Sequence, residues 1–292
     1  MKIKLLHLLV ILAGYIACIY SMQFTWNLLT EYSLVLKVLI CHIEATIFIY
    51  ILSVLFNNSS WYDAFWSVIP VILTIMCWSD ISAAGNVQRA FLMHACLLFW
   101  AIRLTYNWMR SWDGFSHEDW RYIMMKGKTE NKFQYFLVDF GSIHLIPTIC
   151  VYMALLPMIF ALTYPGDPLN SLDVLASFLA VIAVLIQIIS DQQMYNFRKN
   201  LTEPKTMQSG LWFYSRHPNY FGELLFWFSL FVFGIASNLA FYWLFIGFLI
   251  MYVLVAIASV AMMDNRSLKR RSDFKEYMES TPAFFLNVFK KG

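Results

Sequence analysis

Three short stripes of polar and ionisable residues interrupt an otherwise apolar chain. Arg103, Asn107 and Arg110 follow i, i+4, i+7 spacing, with Trp100 and Tyr106 beside them. Gln187, Asp191, Tyr195 and Arg198 follow i, i+4, i+8, i+11, and Arg216, Asn219, Tyr220 and Glu223 share a face by the same rule. On helices these spacings put each set on one side. Arginine grips phosphate oxygens bidentately through its planar fork. A bundle that turns three such faces inward therefore makes a polar, partly basic cavity, suited to a phosphorylated, water-soluble cofactor. The apolar depth behind it suits a lipid-like substrate. A further ionisable group, Asp63, stands alone in Trp61-Tyr62-Asp63-Ala64-Phe65-Trp66, where poor solvation among aromatic rings favours a neutral, proton-donating carboxyl. The alternative for each of these residues is a structural ion pair or a snorkelling side chain, and for Asp63 a cap on a helix N-terminus.

Such faces need helices to carry them, and the composition says of what kind. Of 292 residues 60% are apolar and 13% charged, where an ordinary soluble domain carries about 25% charge. One aqueous core cannot hide that much apolar surface, but lipid accepts it. The expected fold is an all-α integral membrane protein, a bundle of seven or eight transmembrane helices. Apolar stretches mark spans at about 5–21, 33–56, 61–78, 88–108, 135–163, 172–195, 217–236 and 238–263. The shortest connectors, at 57–60 and 237–238, make antiparallel hairpins of their flanking spans. The stretch 135–163 is longer than a bilayer needs, and Pro147 and Pro157 are expected to kink it. No repeat, linker or low-complexity tract divides the chain, so residues 1–292 read as one polytopic membrane domain.

Lysine and arginine orient the bundle. With eight spans, the N-terminus, the loops 57–60, 109–134 and 196–216 and the tail 264–292 share one side. That side holds every Lys and Arg except Lys37, Arg89 and the intra-span Arg103. Both termini are therefore expected in the cytoplasm, in a bacterial inner membrane or the endoplasmic reticulum. A peripheral first segment would leave seven spans and flip the N-terminus. Lys2 and Lys4 precede an apolar run without a small-x-small cleavage site, which reads as a first span or signal anchor. The net charge is only +3 and the basic residues sit between apolar segments, which argues against a nucleic-acid partner. Cys18, Cys41, Cys77, Cys96 and Cys150 lie in apolar runs with no CxxC pair and no His at ligand spacing, so they read as buried thiols, with no metal site. His7, His42, His94 and His144 read as interfacial or hydrogen-bonded core residues. The Asn-x-Ser/Thr sequences at Asn57, Asn58, Asn200 and Asn265 fall on the expected cytoplasmic side, where they stay unmodified.

No GxGxxG follows a strand, and GxxxxGK[ST], HExxH and GxSxG are absent, so a nucleotide would bind here without a Rossmann or P-loop unit. Ser209-Gly210-Leu211-Trp212-Phe213-Tyr214-Ser215-Arg216-His217-Pro218-Asn219-Tyr220-Phe221-Gly222-Glu223 resembles the signature of the steroid 5-alpha-reductase superfamily, and most closely its DUF1295 branch. Gln187 to Asp191 followed by Arg198 resembles the family's Asn-x-x-x-Asp…Arg element, with Gln in place of Asn. Arg103 matches an arginine of its fourth-span stripe. Asp63 with Pro70 resembles its Glu-x6-Pro element, and Phe274 to Tyr277 its closing Phe-x-x-Tyr. The resemblance is fullest in the C-terminal half, about 175–292.

That resemblance implies an NADPH-dependent reductase of a carbon–carbon double bond conjugated to a carbonyl, with a steroid- or lipid-like substrate. Gln187, Asp191, Arg198, Tyr214, Arg216, Asn219, Glu223 and Arg266 would bind the cofactor, the arginines together with Lys269, Arg270 and Arg271 meeting its phosphates. Trp100 and Arg103 would face the substrate, Trp100 standing where the family has a tyrosine. The family's His and Tyr of the tail fall on Arg266 and Arg270. Hydride transfer leaves negative charge on the carbonyl oxygen, and a protonated Asp63 would donate to it. One rival is a membrane methyltransferase of the isoprenylcysteine or phospholipid type, which shares an Arg-His-Pro-x-Tyr-x-Gly stretch; another is a non-catalytic sterol or lipid binder. A transporter lacks support, since no broken helices recur in matching halves. The charge asymmetry predicts that cysteines introduced at Lys128 and Ser272 label with an impermeant maleimide from the same side; labelling from opposite sides would remove the eight-span arrangement.

Overall fold

A computed structural model describes residues 2–80 and 86–284, and among them the chain is helical, with no strand. Lys290 and Lys291, part of the basic tail, lie outside the described residues. Helix α1 (Lys2–Leu28) and α2 (Leu34–Leu55) form the first hairpin. Ser33 starts α2 by accepting from the Leu36 N–H, which satisfies one of the helix's orphan donors. Next come α3 (Trp61–Met76), α4 (Val87–Ser111) and two short helices, α5 (Trp120–Lys126) and α6 (Lys132–Phe136). The chain continues through α7 (Ile146–Thr163), α8 (Ser171–Lys199), the single turn α9 (Leu211–Tyr214) and α10 (Pro218–Ser237). It closes with α11 (Phe245–Val253), α12 (Ala261–Arg270) and α13 (Phe274–Ser280). Seven of the helical runs described are long and apolar enough to cross a membrane; α3, the expected third span, is shorter, at 16 residues, and extends by one 3-10 turn to Asp80. The fold is thus a multi-pass, all-α membrane bundle.

Residues 132–163 form one unbroken helical run, and its irregularity lies beside the first of its two prolines. A π-helical stretch, Leu137–Leu145, leads into α7, and the Ile146 N–H closes a wide turn onto the Gly141 carbonyl. Pro147 follows at once and has no N–H to keep a tight turn, so the wide winding lies directly ahead of it. A second π-helical stretch, Leu254–Val260, joins α11 to α12. α7 lies deep in the bundle, most of its residues buried. Its approach to α11 depends on Gly247, where a Cβ would lie 2.1 Å from the Met153 carbonyl oxygen.

Arg89 behaves differently from a surface cation. It is 1% exposed, and its Nε and Nη2 fork onto the Asp173 carboxyl at 2.7 and 2.8 Å. Its remaining N–H groups donate to the carbonyls of Asp167, Pro168 and Ala236 at 2.9, 3.1 and 3.1 Å. One guanidinium thus ties the start of α4, the start of α8 and the end of α10 together. Removing one partner of a buried pair leaves an uncompensated charge, at about 3–5 kcal/mol. Arg89→Met is expected to lower stability by that much in detergent thermal unfolding, and Arg89→Met combined with Asp173→Leu to recover part of the loss.

Candidate functional site

The three polar faces converge on one another. α10 makes its most extensive contact with α8, and Gly222 allows the approach: a Cβ there would meet Gln187 Cγ at 2.6 Å and the Ala183 carbonyl oxygen at 2.7 Å. The Glu223 carboxyl then lies opposite Gln187, whose amide donates to it at 2.9 Å. Trp100 of α4 donates its indole N–H at 3.1 Å, and Trp227, one turn along α10, does so at 2.9 Å. Arg103 stands 3.8 Å from the same carboxyl and pairs directly with Asp191 of α8. All six side chains are buried. Beyond this knot, Arg110 donates to Asn107 at 3.0 Å and Gln192 at 2.7 Å and lies 4.5 Å over the Tyr195 ring.

Two cavities adjoin the knot. The first, about 490 Å³, opens among the ends of α4 and α8, the start of α10 and the tail helices. Arg110, Arg198, Lys199, Arg216 and Arg271 line it, with Asp191 as its one carboxylate among the described residues. Burial and then the Arg198 charge push the Arg271 guanidinium below its ordinary range, as happens when cations crowd without enough counter-charge. The chamber is therefore complementary to a multiply charged anion. The second cavity, about 500 Å³, lies between α3, α4, α5, α10 and the two π-helical stretches. Leu104, Met125, Ile143, Ile146, Met251, Leu254 and Val255 make it largely apolar, while Asp63, Asp119, Arg121 and Tyr122 give it one polar end. At that end Tyr122 donates its hydroxyl to Asp63 Oδ1 at 2.7 Å. Asn107, Asn219 and Tyr220 line both chambers. The buried Oδ1 of Asn219 on that common wall has no hydrogen-bond partner among the described residues.

Arg121 forks onto Asp119 through Nε and Nη2 at 2.8 and 3.0 Å. Burial alone would raise the Asp119 carboxyl, but the Arg121 guanidinium and backbone N–H hold it below its ordinary value. The polar end of the apolar chamber is thus lined by a neutralised ion pair and a phenol–carboxyl pair.

The structure distributes the sequence-derived candidates over different jobs. Asp191, Arg198, Arg216 and Asn219 line the first chamber; Asp63, Arg103, Asn219 and Glu223 line the second. Gln187 and Trp100 stand behind the walls as donors to Glu223, and Trp100 also stacks on Phe226 at 5.0 Å. Arg216 donates to the Met278 and Thr281 carbonyls and to Asp264, at 3.1, 2.5 and 3.0 Å, and so anchors the tail. Tyr214 packs edge-on against Phe213, and Arg266 lies 4.1 Å over the Trp120 ring; neither lines a chamber. Sequence reasoning misses Trp227, although its i+4 offset from Glu223 is a usable signal, and Tyr122, whose partner lies far along the chain.

The family described as a protein of unknown function, DUF1295, matches residues 49–281. An uncharacterized protein of Schizosaccharomyces pombe is 24% identical over 257 residues, covering 80% of this chain and 74% of that one. No solved structure matches.

The knot makes a prediction that separates scaffold from chamber. Glu223→Ala deprives three N–H donors of their acceptor and Arg103 of a counter-charge, a loss of about 3–5 kcal/mol for a broken buried pair. Asn219→Ala deletes an amide whose oxygen is unpartnered and is expected to cost about 1 kcal/mol, the usual scale of a point substitution. Thermal unfolding of both variants in detergent checks the ordering; equal shifts would contradict it.

Proposed function

This chain belongs to the DUF1295 family, and from that footing we propose that it is a membrane-embedded, NADPH-dependent reductase of a carbon–carbon double bond conjugated to a carbonyl, acting on a steroid- or lipid-like substrate in the manner of the steroid 5-alpha-reductase superfamily. The observation that carries the reading is the adjacency of two unlike chambers, one cationic and one apolar, across the wall of Asn107, Asn219 and Tyr220. A reaction between a phosphorylated cofactor and a lipid needs such a junction, because the reacting atoms must meet in a site that excludes water.

The residues present suit the cofactor. Arg198, Lys199 and Arg271 supply cations for its phosphates, and burial, followed by the Arg198 charge, holds the Arg271 guanidinium below its ordinary range. The unpartnered Asn219 oxygen offers an acceptor at the wall. NADPH, when bound, supplies the hydride. The chain supplies the rest: the knot around Glu223 fixes the spacing of α4, α8 and α10, the apolar walls keep water out, and Asp63 with its polar neighbours faces the oxygen on which negative charge develops. Arg216 and Glu223 act in this scheme by holding elements in place.

Binding to the detergent-purified protein decides between this reading and a methyltransferase. NADPH is expected to bind and S-adenosylmethionine not to. Arg271→Ala is expected to weaken NADPH binding about 10- to 100-fold, the worth of one charged hydrogen bond. Binding of S-adenosylmethionine alone would overturn the proposal, and binding of neither would leave a lipid-binding role.

A further inference from the structure

The basic cluster of the tail is only partly used by the cationic chamber. Arg271 lines that chamber, whereas Arg266, Lys269 and Arg270 do not, and their place follows from the helix that carries them. Met251, Val255, Ser259 and Met262 face the apolar chamber from α11, the second π-helical stretch and α12. Spacings of three and four keep a row of residues on one side of a helix, and the next members of this row are Arg266 and Arg270. The stripe that walls the apolar chamber therefore runs on past its edge as cations. α5 flanks the same edge. Arg121 lines the chamber, and the ring of Trp120 just before it lies under the Arg266 guanidinium at 4.1 Å. A guanidinium held by its face keeps its in-plane N–H groups for another partner, and among the described residues no acceptor takes them. Asp119 bears on Arg266, but Arg121 already forks onto both of its oxygens. Arg270 stands close enough to Arg266 to repel it, and Lys269 and Arg270 are exposed. The edge is thus a cationic rim with too little local counter-charge.

We propose that this rim binds the phosphate head of an anionic amphiphile whose apolar chain fills the second chamber. The inference rests on the reductase reading for the reaction but not for the binding, and it narrows the substrate from any lipid-like molecule to one with a charged end. A phosphate monoester carries about −1.5 to −2 charge at neutral pH and three acceptor oxygens, which suits guanidiniums and an ammonium that crowd one another. Arg266, already flat against Trp120, presents its fork to two of those oxygens at once. The head stays where Lys269 and Arg270 meet water, so the apolar interior receives the chain and no anion, whose burial would be costly. Binding of the head relieves the repulsion between Arg266 and Arg270 and ties α12 to α5 across the edge of the chamber. It also fixes how deeply the chain enters. The double bond that reaches the reacting position is then chosen by its distance along the chain from the head, because only a bond held at the right depth meets the hydride. No bond is made or broken at the head itself.

Dodecyl phosphate and dodecanol share a chain and differ in the head. Both are titrated, tritium-labelled, into the purified full chain in one neutral maltoside detergent, with NADPH binding measured on the same samples. The parent is expected to bind dodecyl phosphate about 10- to 100-fold more tightly than dodecanol, the worth of one charged hydrogen bond. Arg266→Gln keeps a flat side chain over Trp120 without the charge. It is expected to remove most of that preference, with dodecanol and NADPH bound as in the parent. Arg266→Lys keeps the charge and is expected to hold part of the preference. Arg271→Ala, in the other chamber, is expected to leave dodecyl phosphate unchanged, and Met262→Trp, which fills the chamber below the rim, to weaken both amphiphiles alike. A parent without a preference for the phosphate overturns the assignment. So does a preference that survives Arg266→Gln or disappears with Arg271→Ala, and so does equal loss of both amphiphiles in Arg266→Gln. Dodecyl phosphate binding untouched by Met262→Trp would put its chain outside the chamber and overturn it too. A parent that passes these tests but binds no NADPH would sink the reductase reading and leave the anionic head standing.

Discussion

A carboxylate buried among membrane helices has to be met by donors, and Glu223 meets them from three directions. Two indoles, one amide and a guanidinium surround it. Leaving such a group unsatisfied costs more than the made bonds return, so the helices that carry the donors cannot drift apart or rotate without penalty. Arg103 extends the constraint by pairing with Asp191. The relative setting of α4, α8 and α10 follows from this one demand, and the two chambers are the spaces that the setting leaves on either side. At the far end of the same helices Arg89 does the equivalent with backbone carbonyls and Asp173. The bundle is therefore held at both ends by buried arginines, where lipid-facing apolar contact alone would give little preference for one rotation over another.

Much of this is readable from the chain because polar residues are conspicuous in an apolar background. The i, i+4 offsets of Arg103, Gln187, Asp191 and Glu223 name the right faces, and the apolar runs locate the helices closely. What periodicity cannot reveal is which groups a polar residue finds once the chain has folded. Arg216 reads as a phosphate ligand, yet the carbonyls of Met278 and Thr281, contributed by the tail, take its donors. Arg266 reads the same way, and the Trp120 ring takes its face. Tyr122 hides in a stretch whose only obvious signal is charge. The capping Asp119 before Trp120 marks a short helix there, but a seven-residue helix has no periodic signature strong enough to say what its side chains face.

The two chambers differ in what they share with their surroundings. The cationic one is bounded by helix ends and the tail, where chain segments are polar and water has access. The apolar one is bounded by Ile146, Leu254 and other side chains from helices with exposed apolar faces. Only a few side chains separate them, so small changes in Asn219 or Tyr220 act on both chambers at once. Such a wall couples the occupancy of one space to the shape of the other without any long-range movement.

The π-helical stretch ahead of Pro147 has a consequence for how this sequence can change length. A wide turn holds one more residue than the α-helical turn it replaces, so it behaves as an insertion absorbed inside a helix. Removing one residue between Leu137 and Leu145 would return the run to α-helical winding. The segments on either side would keep their facing, because the wide winding already takes up the extra residue. Thr148 would still bond Tyr62 and Thr46 in the core, Phe136 would stay against the Tyr50 ring, and Tyr135 would stay near Lys126. The same deletion inside α7 would turn everything before it by about 100°. A single-codon change of length is thus tolerated in the wide winding and nowhere else along this run.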